Sequence, residues 1–141
     1  IPQSIRGLPV GTLFCNEAMS PSLYAKLSGE GAQLFINVSS HSWFHGSHIV
    51  AEDMLNTSKV RAVESRRWYV QATDVAPSFV LDPYGRVTTS SPWGTVGVIT
   101  ATVYPRDDVT PYVRFSTWVL WLCTCILLAR VQVQKNMRRY A

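Results

Sequence analysis

With 141 residues the chain has room for one domain, and its 47% hydrophobic and 11% aromatic content excludes a disordered or low-complexity segment. The formal charge of +4 is modest and concentrated near the end, at Arg130, Lys135, Arg138 and Arg139, a distribution that suits a membrane surface better than nucleic acid. Three cysteines, of which Cys123 and Cys125 lie inside an apolar run, give neither a disulfide framework nor zinc-type spacing.

The opening Ile1-Pro2-Gln3-Ser4 has no start methionine, basic n-region or apolar h-region, so it reads as an excised or truncated piece without a signal peptide. Leu8-Pro9-Val10-Gly11-Thr12-Leu13-Phe14 is an apolar run bounded by turn residues, and it predicts a buried strand that delivers Cys15 to its C-terminal tip. Ser20-Pro21 opens a helix with its body at Ser22 to Leu27, and Gly29-Glu30-Gly31 ends it. Ala32 to Val38 is a second apolar run of strand length, so the two strands should be parallel neighbours.

A polar loop from Ser39 to His48 follows, on the same sheet edge as Cys15. From about Ile49 to Trp68 a long helix is expected, with Met54, Leu55, Val60 and Val63 as its apolar stripe. Trp68 to Thr73 and Ser78 to Asp82 read as strands, the second closed by the turn Asp82-Pro83-Tyr84-Gly85. Gly94 to Tyr104 alternates roughly and predicts one more strand at the periphery. Phe115 to Ala129 carries no charge; extended by its flanks to residues 112–133 it predicts a transmembrane helix, with Tyr112, Trp118 and Trp121 at one interface and the basic tail at the other. A buried core helix is the alternative that its length allows.

Cys15 is the first candidate for chemistry, as a strand-tip nucleophile or as a small buried hydrophobe. His41, His45 and His48 have spacings that a metal site could use, but Gly46 and the serines around them describe a solvated loop. His41 or His45 could also deprotonate Cys15, as a cysteine protease requires. Asp74 and Asp82 read as strand-end and turn residues. Asn37-Val38-Ser39 and Asn56-Thr57-Ser58 match the glycosylation acceptor pattern, the first inside a strand.

In order along the chain, Phe14-Cys15-Asn16-Glu17, Asn37-Val38-Ser39-Ser40-His41-Ser42-Trp43-Phe44, Arg61-Ala62-Val63-Glu64-Ser65-Arg66-Arg67, Ala72-Thr73-Asp74 and Ser78-Phe79-Val80-Leu81-Asp82-Pro83-Tyr84-Gly85 resemble the C-terminal half of the carbon-nitrogen hydrolase (nitrilase) domain. Val103-Tyr104-Pro105, then Thr110-Pro111-Tyr112-Val113-Arg114-Phe115 leading into an apolar helix, resemble the apolipoprotein N-acyltransferase branch. The resemblance implies an α/β fold: the C-terminal part of a nitrilase-like αββα sandwich over residues 1–111, a transmembrane helix at 112–133 and a basic cytoplasmic tail at 134–141. It also implies a bacterial inner-membrane location with the α/β part outside the cytoplasm.

By the same resemblance Cys15 is the nucleophile, Glu17 supports it, and Trp43 and Phe44 line the substrate's entrance. The implied reaction moves an acyl chain from a phospholipid to Cys15 as a thioester, then to the N-terminal diacylglyceryl-cysteine of a lipoprotein. No cofactor, metal or nucleic acid is implied. Asn16 replaces the family's aromatic residue, and Ser40-His41 replaces its Asn-Asp. The family's general-base glutamate and its lysine come from the half of the domain that precedes this sequence, and Glu17, Glu30, Lys26 and Lys59 lack their motif context. That missing half is an expected partner. A membrane-tethered amidase and an inactive fragment are the alternatives.

Overall fold

The computed structural model describes residues 1–115 and 118–139. Its centre is a six-stranded sheet whose spatial order follows the chain. Strand β1 (Gln3–Ile5) turns back antiparallel onto β2 (Leu8–Phe14), which leads through a 3₁₀ turn (Cys15–Met19) into α1 (Pro21–Gly29). Strands β3 (Leu34–Ser39) and β4 (Trp68–Thr73) lie parallel to β2, joined to each other through α2 (His48–Ser65). Strands β5 (Phe79–Leu81) and β6 (Val87–Ser90) complete the sheet antiparallel. Both crossovers of the parallel part place a helix on the same face, so the C-terminal ends of β2, β3 and β4 share one edge.

The core is the layer between that face and the helices. Leu13, Phe35, Tyr69, Phe79 and Leu81 of the sheet meet Tyr24, Ala32 and Ala62 there. Gly11 is present because the Phe35 ring lies across it: a Cβ at Gly11 would stand 2.6 Å from Phe35 Cδ1. Pro21 starts α1 at a position where its missing N–H is no loss. The buried guanidinium of Arg67 donates to the carbonyls of Ala32 and Asp108, 2.7 Å each, and of Ser65, 3.1 Å, which ties the later chain to the end of α1 and to α2.

Four expectations change. The helix expected from Ile49 to Trp68 ends at Ser65, because Arg66 adopts a left-handed conformation and Trp68 enters β4. Its buried face is Met54, Ser58, Ala62 and Ser65, while Val60 and Val63 are exposed. Small residues at that spacing let the helix approach the sheet closely, which branched side chains would prevent. Gly94 to Tyr104 forms no strand among the described residues; β6 takes the place beside β5. The segment instead crosses the second sheet face, where Val98, Ile99 and Val103 stand over Val70 and Val80 around a cavity of about 490 Å³.

The fourth concerns the expected span over 112–133. After the short α3 (Pro111–Phe115), α4 covers Trp118–Arg139, and among the described residues no helix is long and apolar enough to cross a membrane. The uncharged part of α4 ends at Ala129, and Arg130, Gln132 and Gln134 interrupt its second half. Ser116 and Thr117 of the expected span, and Tyr140 and Ala141 of the tail, lie outside the described residues.

Candidate active site

Cys15 follows directly on β2, as the first residue of the 3₁₀ turn, with a φ of +49°. Arg6, His45 and Arg66 share this left-handed conformation at turns and a helix end, but Cys15 holds it at a strand tip. A residue with a Cβ loses about 1–2 kcal/mol in that region, so something around it must hold it there. The effect is a sharp turn from strand into 3₁₀ helix that leaves the cysteine exposed, with a free thiol. Strand-to-helix elbows of this kind lift a side chain clear of the sheet edge.

Two side chains grip the elbow. The Glu17 carboxylate accepts the Phe14 amide at 2.8 Å, and the Asn37 side-chain amide donates to the Cys15 carbonyl at 3.3 Å. Both groups therefore bind backbone on either side of the thiol. Asn37 sits opposite Leu13 of β2 and Gln71 of β4 in register, on the helix face of the sheet, and is fully buried.

Behind it lies a buried polar ladder. Asn37 Nδ2 donates to Gln71 Oε1 at 3.1 Å, as does the Tyr69 hydroxyl at 3.1 Å; Gln71 Nε2 donates to Ser39 Oγ at 2.6 Å, and Tyr24 donates to Tyr69 at 3.2 Å. Burial pushes the ionisation of Tyr24 and Tyr69 up, so both remain neutral hydroxyls. Sequence reasoning passed over this ladder. Its only signal was an amide in the middle of each of two apolar strands, at positions that pair if the strands are parallel.

The loop after β3 is fixed by Asp74. Its carboxylate accepts from Ser40 Oγ at 2.6 Å, from the His41 amide at 2.7 Å and from the Val75 amide at 2.8 Å, and these bonds hold it down at about 2. Asp74 and Asp82 are thus loop and turn supports, Asp82 accepting from the Tyr84 and Arg86 amides. Trp43 and Phe44 occupy a 3₁₀ turn (Ser42–Phe44) in that loop, exposed on the edge to which Cys15 also belongs. The Phe44 ring stands edge-on to His41, 6.1 Å between centroids.

Two of the three histidines line a cavity. His41 is buried, and burial lowers its pKa against a weaker opposing pull from Asp74. His48 stacks on Trp93 at 3.9 Å, and both histidines line a separate cavity of about 270 Å³ with Leu55 and Phe79. Among the described residues no group of histidines, cysteines and carboxylates could hold a metal ion.

An exposed thiol on a braced strand tip can attack a carbonyl carbon and hold the acyl group as a thioester. Residues 2–112 match the model of the carbon-nitrogen hydrolase family. The chain is 32% identical to the apolipoprotein N-acyltransferase of Pseudomonas syringae pv. tomato over 87% of its own length and 24% of that protein's. To the apolipoprotein N-acyltransferase of Pseudomonas aeruginosa it is 29% identical over 94% of its length and 26% of the relative's. The chain thus spans about a quarter of the length of the curated relatives it matches. Its fold is similar to that of Saccharomyces cerevisiae Nit3, a member of the nitrilase superfamily, with a TM-score of 0.58 at 16% identity, covering 67% of this chain and 37% of that one.

Proposed function

The chain belongs to the carbon-nitrogen hydrolase family, and on that basis we propose that it performs the Cys15 half of an N-acyltransferase reaction on lipid substrates. The observation that carries the reading is the exposed Cys15 on its left-handed strand tip, in a chain similar to apolipoprotein N-acyltransferases.

The Cys15 thiolate attacks the ester carbonyl of a phospholipid. The carbon–sulfur bond forms, the ester C–O bond breaks, and the lysolipid leaves as an alcohol with a proton. The N-terminal amine of a diacylglyceryl-cysteine lipoprotein then attacks the thioester, the amide forms, and the thiol regains a proton. A thioester suits this exchange because a thiolate leaves readily before an amine. Glu17 supports the step by bracing the elbow through the Phe14 amide. Trp43 and Phe44 offer exposed apolar surface beside the acyl chain. The general base and the lysine for the tetrahedral intermediate come from the domain's other half, which packs on this one as a partner.

Residues 1–111 are the partial domain in this reading, and 112–133 meet membrane lipid. Support comes from α4, where Leu120, Trp121, Leu122, Leu127 and Leu128 are all exposed. Neighbouring helical residues point about 100° apart, so the first part of α4, as far as Ala129, presents apolar side chains in several directions and suits a nonaqueous surrounding. The surrounding in this reading is a bacterial inner membrane, with the basic stretch 134–141 at its anionic surface.

The test combines this chain with the upstream half of a related domain in phospholipid vesicles, and adds a diacylglyceryl-cysteine peptide. A triacylated peptide whose formation requires Cys15 supports the reading. Release of ammonia from small amides without lipid transfer would make the protein an amidase, and no chemistry under any of these conditions would make it an inactive fragment.

A further inference from the structure

Resting on the reading of Cys15 as nucleophile, we infer that Asn37, backed by Gln71, is the positioning residue that holds Cys15 in its left-handed conformation. Asn37 has two side-chain N–H groups: one reaches the Cys15 carbonyl at 3.3 Å and the other Gln71 Oε1 at 3.1 Å. Gln71 is itself fixed by Tyr69 and Ser39, so the amide of Asn37 cannot turn away without losing a partner. The four side chains are buried.

The placement follows from register. Asn37 is level with Leu13, and the chain beyond Leu13 bends back over the helix face, which brings the Cys15 carbonyl above Asn37. A pair of amides in an otherwise apolar layer costs stability wherever its hydrogen bonds are incomplete. Leucine would fill position 37 without that cost, and it would remove the side-chain donor to the Cys15 carbonyl. The Glu17 carboxylate holds the Leu13–Phe14 peptide, one unit before the turn, and Asn37 holds the peptide that follows Cys15. Together they oppose the relaxation of the backbone to a negative φ.

The experiment uses the full chain with Cys123 and Cys125 changed to serine, so that Cys15 is its sole thiol. Two readouts are taken for Asn37→Leu: the backbone carbon shifts of Cys15, which report the sign of φ, and the rate of Cys15 acylation by a soluble activated ester. The expected result is loss of the left-handed shifts, with the maximal rate falling about tenfold at unchanged half-saturation. Asn37→Ser, too short to reach the carbonyl, replaces it should the leucine variant not fold, and the same outcome is expected.

Retention of the left-handed shifts in a folded variant would overturn the inference and reduce the ladder to a tie between β3 and β4. Lost shifts with no acylation even in the parent chain would uphold Asn37 in this role and count against the acyl-transfer reading instead.

Discussion

The Glu17 carboxylate accepts the amide of Phe14 at 2.8 Å, so the residue two places after the candidate nucleophile holds the residue one place before it. The contact closes the 3₁₀ turn on itself and makes the elbow a local structure that a short sequence can specify. Glu17→Ala removes the acceptor and should cost about 1 kcal/mol, the size of a lost helix cap. It should also slow acylation of Cys15. Glu17→Gln keeps an oxygen at the same place and should retain most of both. Thermal melts and acylation rates of the two variants check this, and equal losses would contradict the capping role.

Asp74 makes the loop that carries Trp43 and Phe44 dependent on pH. Its carboxylate is held at about 2 by Ser40 and the His41 amide, below the ordinary range near 4. The sign follows: the stabilisation is complete above about pH 4 and is lost as pH falls through about 2. Hydrogen exchange of residues 40–46 should therefore accelerate between those limits. In Asp74→Asn the loop should exchange faster at neutral pH and lose that acid dependence.

Gly11→Ala places a methyl group 2.6 Å from Phe35 Cδ1, with Leu27 Cδ1 at 3.3 Å behind it. The ring is buried and cannot yield without moving Tyr24, 4.8 Å away in edge contact. Overpacking of this kind should cost about 2 kcal/mol and lower the melting temperature by roughly 5–10 °C. Adding Phe35→Leu should recover part of the loss, measured as coupling between the two sites.

Arg67→Met would leave the carbonyls of Ala32, Ser65 and Asp108 without their donor. A loss of about 3 kcal/mol is expected. Residues 106–110 should lose their protection from hydrogen exchange before the sheet does, because Arg67 holds that stretch from beneath.

How far the chain was legible depended on where its partners lie. The β2, α1 and β3 unit was readable because Pro21, Gly29 and the apolar runs all act locally. The inner face of α2 was not: Ser58 and Ser65 are buried only because the sheet comes close, and hydrophobicity pointed to Val60 and Val63. Gly94 to Tyr104 alternates as a strand does, but pairing needs a neighbour and none among the described residues takes that place. The expected span over 112–133 rests on its uncharged centre, while the polar residues from Arg130 onward shorten the apolar part of α4. At the site, Cys15 and Glu17 were visible in the sequence. Asn37 and Gln71 became visible only through strand register.

The most direct measurement is the intact mass of the chain after incubation with phospholipid in detergent, alongside Cys15→Ser. The account predicts a mass increase of one acyl chain, removed by hydroxylamine and absent from the serine variant. An unmodified chain even when the upstream half of a related domain is supplied, or an adduct that persists in Cys15→Ser, would contradict Cys15 as the nucleophile.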